Sequence, residues 1–316
     1  MEVKMRCLVT GATGHIGSYL VRYIIERGAE VAVLLRPATT NLWRIEDVLH
    51  HLYIIEGDLS DIERSRLAIQ EFAPEVVFHL AWFGVANRHR NDIKQISRNL
   101  YGSINLLRLS CNSGCKRWVG LGSQAEYGIP EGILREDLPT RPVTLYGAVK
   151  LCVCILSQRL CEICNTDFAW LRLLASYGPM DDSEHLIPWV ILKLLRGENP
   201  NLTLGEQRWD YLYVEDVVEA LWQVAITPEA YGIFNLGSGK PHTIRSIVES
   251  IRDLINPNLP LGFGKVPYHH DQVMHLQADI SRLQQTIAWS PQVSLDEGLR
   301  RTVEWFTRHQ GRYAYT

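Results

Sequence analysis

Three side chains in the sequence, Ser123, Tyr146 and Lys150, could together move a proton at a hydroxyl or carbonyl carbon. Tyr146 and Lys150 stand four positions apart at the opening of a predicted helix, so they share one of its faces. A phenol has an ordinary pKa near ~10, which a neighbouring ammonium lowers. Ser123 follows a strand-like run and would donate a hydrogen bond to the substrate oxygen while Tyr146 gives or takes the proton. These residues predict an acid–base site.

A glycine-rich turn near the start of the chain joins a predicted strand to a predicted helix. In such a turn Gly11 permits a tight bend, Gly14 lets the backbone approach a pyrophosphate, and Gly17 lets the helix lie close to the strand. The helix N-terminus offers free N–H groups to the anion. We therefore expect a dinucleotide to be bound by Gly11, Thr13, Gly14, His15, Ile16 and Gly17.

The end of the second predicted strand indicates which dinucleotide is used. Enzymes that bind NAD usually place a carboxylate there for the ribose hydroxyls. This chain instead has Arg36 followed by Pro37. A guanidinium suits the 2′-phosphate of NADP, so NADP(H) is the favoured cofactor and NAD(H) stays open as the alternative.

Composition narrows the class of protein. The formal net charge of −3 and the pI near 6.4 provide no field that would gather nucleic acid or an anionic membrane, and neither is expected as a partner. No window reaches the 18 or so apolar residues that a membrane span needs. Seven cysteines without a signal peptide suggest a reducing cytoplasm. Four of them lie close together in a helical run without the paired knuckles of a zinc site, so no metal is expected.

Apolar strand-like runs alternate with segments of helical period. The runs are apolar throughout, as in a parallel sheet that is covered on both faces. This order predicts an α/β fold with a doubly wound parallel sheet of the Rossmann type. The predicted strands are Arg6–Thr10, Glu30–Leu35, Tyr53–Glu56, Val76–Leu80, Arg117–Leu121 and Gly232–Leu236, and the predicted helices are Ile16–Arg27, Ser60–Phe72, Asp92–Ser113 and Leu151–Cys164.

After about Tyr177 prolines and glycines divide the chain into short segments, which predicts a smaller lobe interleaved with the sheet. We assign residues 1–175 and about 211–238 to the dinucleotide-binding domain. Residues from about 176–210 and 239–316 are assigned to a substrate-binding lobe, with a ligand cleft between the two parts.

With these motifs in order, the chain resembles the extended short-chain dehydrogenases/reductases of the NAD-dependent epimerase/dehydratase superfamily. The resemblance implies cofactor contacts at Asp58, Leu59, Leu80, Ala81, Trp82, Asn99 and Tyr177, besides Tyr146 and Lys150. It also implies a nucleotide-linked sugar as substrate and a homodimer formed through a helix pair.

The chain departs from the family pattern around the sugar. Sugar-nucleotide 4,6-dehydratases carry an Asp-Glu pair where this chain has Gln124 and Ala125, which cannot do acid–base work. Family positions that hold the sugar nucleotide correspond to Ala175, to Trp209 beside Arg208, and to His269 beside His270. We expect Gln124, Ala175, His185, Arg208 and His269 to face the substrate, with Arg208 and His269 anchoring its diphosphate.

These observations favour an NADPH-dependent reductase of a nucleotide-linked keto-sugar, with a 4-keto-6-deoxyhexose as the first choice. One alternative is a sugar-nucleotide epimerase that retains its NAD. Another is a reductase of a smaller carbonyl compound. A non-catalytic NADP-binding redox sensor is the alternative from another class, and it would have no need of the Ser-Tyr-Lys residues.

Overall fold

The computed structural model of the protein describes residues 4–37, 41–129, 132–269 and 272–313. Its main feature is a sheet of seven strands, all parallel, in the order β10-β6-β5-β4-β1-β2-β3. The strands are β1 (Arg6–Thr10), β2 (Glu30–Leu35), β3 (Leu52–Glu56), β4 (Val76–His79), β5 (Arg117–Ser123), β6 (Asp167–Leu173) and β10 (Gly232–Leu236). The predicted doubly wound parallel sheet is confirmed, and the late strand Gly232–Leu236 joins it at one edge beside β6.

Helices cover the sheet on both faces. They are α1 (His15–Glu26), α2 (Arg66–Phe72), α3 (Tyr101–Asn112), α4 (Leu145–Cys164) and α6 (Val214–Ile226). Two predicted helices are divided in the structure. A 3-10 stretch, Leu59–Ser65, which has a kink at Asp61, precedes α2, and a π-helical stretch, Gln95–Leu100, precedes α3.

Burial of the strands explains why the sheet could be predicted. All seven residues of β5 and all four of β4 are buried. Side chains on both faces of these strands must therefore be apolar or have a hydrogen-bond or ionic partner. One hydrophobic core lies between the sheet and α1 with α6, and a second lies between the sheet and α3 with α4.

A third hydrophobic core belongs to the later part of the chain. It is formed mainly by α5 (Leu186–Leu195), α7 (Ile244–Ile255) and α9 (Leu295–His309), and α8 (Ser281–Ile287) packs nearer the sheet. Small sheets accompany these helices: β7 (Ala175–Tyr177) pairs with β9 (Tyr211–Tyr213), and β8 (Arg208–Trp209) lies between β11 (His242–Thr243) and β12 (His275–Leu276). The domain boundaries given above stay a prediction. Across the described ranges, none of the helices combines the length and apolar character needed to cross a bilayer.

Candidate active site

A cleft of about 1140 Å³ follows the carboxyl edge of the parallel strands. Ligands of open α/β sheets bind at this edge because the loops that leave the strands meet there. The cleft brings together sixteen residues expected at the cofactor or at the chemistry, and three expected at the substrate. They are Gly11, Thr13, Gly14, His15, Ile16, Gly17, Arg36, Asp58, Leu59, Leu80, Ala81, Trp82, Asn99, Ser123, Tyr146 and Lys150, with Gln124, Ala175 and His185.

The glycine turn has the shape that a dinucleotide pyrophosphate requires. Gly11 has a φ of +76°, and a Cβ there would lie 2.7 Å from the backbone nitrogen of Ala81. A Cβ on Gly17 would lie 2.1 Å from the carbonyl oxygen of Gly11, which shows how closely α1 packs on the turn. At Gly14 the added atom would meet only that carbonyl, at 3.3 Å, so the cleft side is open. No side chain of the described residues caps α1 at Gly14, and its first N–H groups are left for an anion.

Ser123 and Tyr146 both line the cleft and lie within hydrogen-bonding reach of each other, and Lys150 follows Tyr146 one helical turn further along α4. Thr144 caps α4 by accepting a hydrogen bond from the Gly147 N–H at 3.1 Å, which places Tyr146 and Lys150 in its first turns. The Lys150 Nζ atom donates to the Leu121 carbonyl at 2.6 Å and lies 3.7 Å from the centre of the Trp82 ring.

The pKa of Tyr146 is raised, whereas the sequence analysis expected the Lys150 ammonium to lower it. Burial raises the pKa of Tyr146, and a hydrogen bond with Ser123 and the charge of Arg90 act in the opposite direction. Burial lowers the pKa of Lys150 to about 7, against the opposing effect of Glu126. Lys150 was expected to lower the pKa of the phenol, but its Nζ atom is 6.0 Å from the ring centre and bonded to a carbonyl.

Buried hydrogen bonds hold the neighbouring loop in place. The Asn99 side chain accepts from the Phe83 N–H at 2.8 Å and donates to the Phe83 carbonyl at 3.0 Å. His79 joins Thr10 at 2.9 Å and Ser103 at 2.8 Å, and burial lowers its pKa to about 3. The imidazole is therefore neutral, and since the Ser103 hydroxyl donates to the Asn99 carbonyl, His79 Nε2 carries the proton.

Glu126 is a structural residue in this arrangement. It is fully buried and pairs with Arg172 at 2.8 Å, and it also accepts from the Trp170 indole and the Ser123 N–H, both at 2.9 Å. Neither of its carboxylate oxygens is left over for a substrate. Gln124 does line the cleft, and its side-chain oxygen has no hydrogen-bond partner among the described residues.

Arg36 and Asp58 occupy the part of the cleft at the ends of β2 and β3. Burial raises the pKa of Asp58, but hydrogen bonds from Ser60 and the charges of Arg36 and Arg98 outweigh it and bring the pKa below its ordinary value. Ser60 donates to the Asp58 carboxylate from its N–H at 2.8 Å and from its hydroxyl at 2.7 Å. The guanidinium groups of Arg36 and Arg98 thus lie close enough to the Asp58 carboxylate to stabilise its charge.

Three of the predicted site residues do not belong to the described lining of the cleft: Tyr177, Arg208 and His269. Tyr177 is buried in the third core against Tyr213, with ring centres 5.5 Å apart, and donates to the Leu295 carbonyl. Arg208 donates to the Pro241 carbonyl at 3.1 Å.

Strand geometry explains why Arg208 does not line the cleft, and a position in an exposed loop explains the same for His269. Successive side chains of a strand point to opposite sides, so Trp209 faces the cleft and Arg208 faces away. His269 lies exposed in a loop, and His270 falls outside the described residues.

The structure adds cleft residues that the sequence analysis missed. Arg88 and Arg90 come from the loop after β4, and Arg88 pairs with Glu184. Asp181 is buried and lies 3.2 Å from His15 Nδ1 and 2.8 Å from His185 Nδ1. Asp181 raises the pKa of His185 to about 9, so this imidazole is a cation at neutral pH. No sequence motif signals these residues, because they meet only when distant loops fold together.

Comparison with known proteins agrees with this description. Residues 7–237 match the model of the NAD dependent epimerase/dehydratase family. The chain is 27% identical to the UDP-glucuronate 4-epimerase of Thermodesulfobacterium geofontis over 94% of this chain and 95% of that one. It is 28% identical to the dTDP-glucose 4,6-dehydratase of Streptomyces griseus, over 96% of this chain and 94% of that one.

Solved structures resemble the whole chain as well. The UDP-glucose 4-epimerase of Thermotoga maritima with UDP-glucose has a TM-score of 0.87 and 26% identity, and the match covers 97% of this chain and all 100% of that one. The UDP-glucose 4-epimerase of Thermus thermophilus with NAD has a TM-score of 0.86 and 28% identity, over 96% and 99% of the two chains.

Proposed function

Because this chain belongs to the NAD-dependent epimerase/dehydratase family, we propose that it transfers a hydride between a nicotinamide dinucleotide and a carbon of a nucleotide-linked sugar, working as a keto-sugar reductase. The observation that carries the proposal is the placement of Ser123, Tyr146 and Lys150 in the same cleft as the open glycine turn. A carbonyl held at Ser123 would lie between the proton source and the cofactor site.

The residues of this chain have separate tasks in the reduction. Ser123 donates a hydrogen bond to the carbonyl oxygen of the sugar, and Tyr146 donates the proton that this oxygen takes up. Lys150 lies beside them against the Trp82 ring, with its Nζ atom 3.7 Å from the ring centre. A bound dinucleotide supplies the hydride. Gly14 and the start of α1 would hold its pyrophosphate, because the turn is open there and the helix start has no side-chain cap among the described residues.

The residues beside Ser123 argue against dehydration. Removal of water needs an acid and a base placed over the sugar, and the corresponding positions are Gln124 and Ala125. The next carboxylate, Glu126, is buried and paired with Arg172. A reaction that needs only the hydride and one proton therefore suits this cleft better.

Arg36 favours NADPH, which a reductase can exchange after each turnover. Its guanidinium lines the cleft at the end of β2, in the place where a 2′-phosphate would lie. A 4-keto-6-deoxyhexose is the sugar proposed, and His185 with Arg88 offers positive charge for its diphosphate in place of Arg208 and His269. The proposed cofactor, sugar and diphosphate site go beyond what family membership implies, and they are argued from residues of this chain.

A sugar-nucleotide epimerase with retained NAD is the second candidate. The relatives named above favour it, since three of the four are 4-epimerases and one of their structures holds NAD. An epimerase would use the same Tyr146 to remove and return the proton. The two candidates differ in whether reducing equivalents leave the enzyme.

The test is a panel of nucleotide-linked 4-keto-sugars and their 4-hydroxy counterparts, with NADPH and NADH. A reductase consumes reduced nicotinamide in proportion to the keto-sugar, which is read as loss of nicotinamide absorbance. An epimerase interconverts the hydroxy-sugars, detected by chromatography, with no net change in added cofactor. Inactivity of the whole panel with both cofactors would contradict both candidates.

Arg36→Ala tests the choice of cofactor. The variant should bind NADPH more weakly by roughly 1.5–3 kcal/mol, the size of a hydrogen bond to a charged group, while NADH binding changes little. Fluorescence titration gives both dissociation constants. Arg98→Ala is the matched control within the same part of the cleft. Equal losses for NADPH and NADH in Arg36→Ala would show that Arg36 does not contact a 2′-phosphate.

A further inference from the structure

The turn that follows β5 holds Gln124 directly beside Ser123. Ser123 ends the strand, and Gln124 begins a short 3-10 turn, Gln124–Glu126. The Ser123 Oγ atom accepts from the Ala125 N–H at 3.2 Å, and the Glu126 carboxylate accepts from the Ser123 N–H at 2.9 Å. These two bonds fix the backbone of the turn, so Ser123 and Gln124 keep neighbouring places in the lining of the cleft.

The side-chain oxygen of Gln124 lacks a partner within the described part of the chain. Gln124 lines the cleft, and its Oε1 atom is buried without a hydrogen bond to any described residue. A buried polar atom without a partner costs free energy and calls for an explanation. An amide offers its oxygen or its NH₂ group to the same place after a half-turn about its last bond. A ligand in the cleft can therefore supply the missing bond.

The other side chains of the turn are not free for this task. Ala125 has no polar group, and the Glu126 carboxylate is occupied by Arg172, by the Trp170 indole and by the Ser123 N–H. Ser123 itself is assigned to the carbonyl oxygen of the substrate. Gln124 is thus the residue of this turn that can bind a second group of the sugar.

The chemistry of the sugar indicates which group that is. Consecutive Cα atoms are about 3.8 Å apart, so a side chain next to Ser123 reaches the carbons on either side of the carbonyl carbon. In a 4-keto-6-deoxyhexose these are C3, which carries a hydroxyl, and C5, which carries the ring oxygen and a methyl group. A hydroxyl donates and accepts, so it satisfies either end of an amide. The methyl group can do neither, and the ring oxygen only accepts.

We propose that Gln124 is a specificity residue that binds the hydroxyl beside the carbonyl carbon, so that the enzyme prefers keto-sugars with a free hydroxyl at C3 over their 3-deoxy counterparts. The inference rests on the proposed function, because it takes Ser123 as the group that holds the sugar carbonyl. It goes further by naming a substituent that the substrate must carry.

The experiment is a cycle of two enzymes and two substrates. The wild-type protein and Gln124→Met are each assayed, with NADPH, on a nucleotide-linked 4-keto-6-deoxyhexose and on its 3-deoxy analogue. Methionine keeps the length of the side chain and removes both ends of the amide. The wild-type protein should prefer the hydroxylated sugar by roughly 10–100-fold in kcat/KM, as expected when a buried polar group is otherwise left unpaired. Gln124→Met should lose most of this preference by slowing the hydroxylated substrate alone.

Asn87→Ala is the control, because it removes an amide from another part of the cleft lining and should leave the preference unchanged. Gln124→Ala replaces the Met variant if that one does not fold. The same preference in the wild-type protein and in Gln124→Met would overturn the inference, as would equal slowing of both substrates, which marks a structural role.

A wild-type protein that binds both keto-sugars and reduces neither would instead count against the proposed function. In that case the cycle is measured with dissociation constants from calorimetry, and a preference for the hydroxylated sugar that is lost in Gln124→Met would still support the inference. Equal affinities of the wild-type protein for the two sugars would overturn it. The two failures are therefore distinct.

Discussion

At the scale of single residues, the pKa of the Tyr146 phenol depends on burial and on groups from separate parts of the chain. Burial and Glu126 raise this pKa, whereas Ser123, at the end of β5, and Arg90, in the loop after β4, lower it. The Tyr-Lys spacing predicts that the two residues act together, and both line the cleft, while their catalytic role stays a prediction. It does not reveal that the lysine bonds to a backbone carbonyl or that an arginine approaches the phenol.

Tyr146→Phe should reduce turnover by about 10²–10⁴-fold, because the variant keeps the ring but loses the proton donor. Binding of the dinucleotide should survive, since the glycine turn and α1 do not depend on the hydroxyl. Single-turnover kinetics and fluorescence titration measure the two effects separately. Tyr127→Phe is a matched control, as that hydroxyl is bonded to Asn235 away from the cleft lining. Near-normal turnover in Tyr146→Phe would remove Tyr146 from the mechanism.

At the scale of elements, the turn between β1 and α1 assigns different tasks to its glycines. Gly17 makes the close contact between helix and turn, whereas Gly14 borders open space on the cleft side. This difference is predictable from the sequence motif, because each glycine of the motif has a fixed geometric role. The division of the predicted Asp92–Ser113 helix was not predictable, since a π-helical stretch has no simple residue pattern.

Gly17→Ala and Gly14→Ala separate stability from binding at this element. The methyl group of Gly17→Ala would overlap the Gly11 carbonyl, 2.1 Å away, and should destabilise the fold by about 1–3 kcal/mol through overpacking. Gly14→Ala should fold with nearly wild-type stability and bind the dinucleotide more weakly. Chemical denaturation and cofactor titration check the two variants. Equal stability of the two proteins would contradict the packing described for α1.

At the scale of the whole molecule, the central sheet follows from the sequence more directly than the cleft does. Strands buried on both faces must be apolar along their length, so β1, β4 and β5 are visible as patterns. The substrate side depends on loops whose side chains meet only in the folded chain. For that reason Arg208 was expected in the cleft although its neighbour Trp209 occupies the place, and Asp181 was not noticed.

Asp181 joins the later part of the chain to the cofactor helix. Its carboxylate lies 3.2 Å from His15 on α1 and 2.8 Å from His185, which precedes α5, and its carbonyl accepts from the Tyr313 hydroxyl at 2.8 Å. Burial raises the pKa of Asp181, but the two histidines outweigh it and hold the pKa well below its ordinary value. The buried Asp181 carboxylate thus connects α1, through His15, with the segment before α5, through His185.

Asp181→Asn should therefore lower the free energy of unfolding by up to ~3 kcal/mol near pH 6. The loss is smaller than for a pair of permanent charges, because His185 can release its proton when Asp181 is removed. The sign of the pH dependence follows from the shifts. The lowered pKa of Asp181 gives stability that is present above pH 3.8 and lost as the pH falls. The raised pKa of His185 gives stability that is full below pH 6.5 and lost as the pH rises through about 9.

The difference in unfolding free energy between the wild-type protein and Asp181→Asn should accordingly be largest between these limits and shrink on both sides. Urea denaturation at a series of pH values measures it. Asp182→Asn is the matched control, because Asp182 is exposed and paired with Arg44 at 2.6 Å, where an ion pair contributes little. If the two variants lost the same stability at every pH, the buried bridge would not join the two parts of the molecule. A loss confined to Asp181→Asn, and greatest near pH 6, would establish that it does.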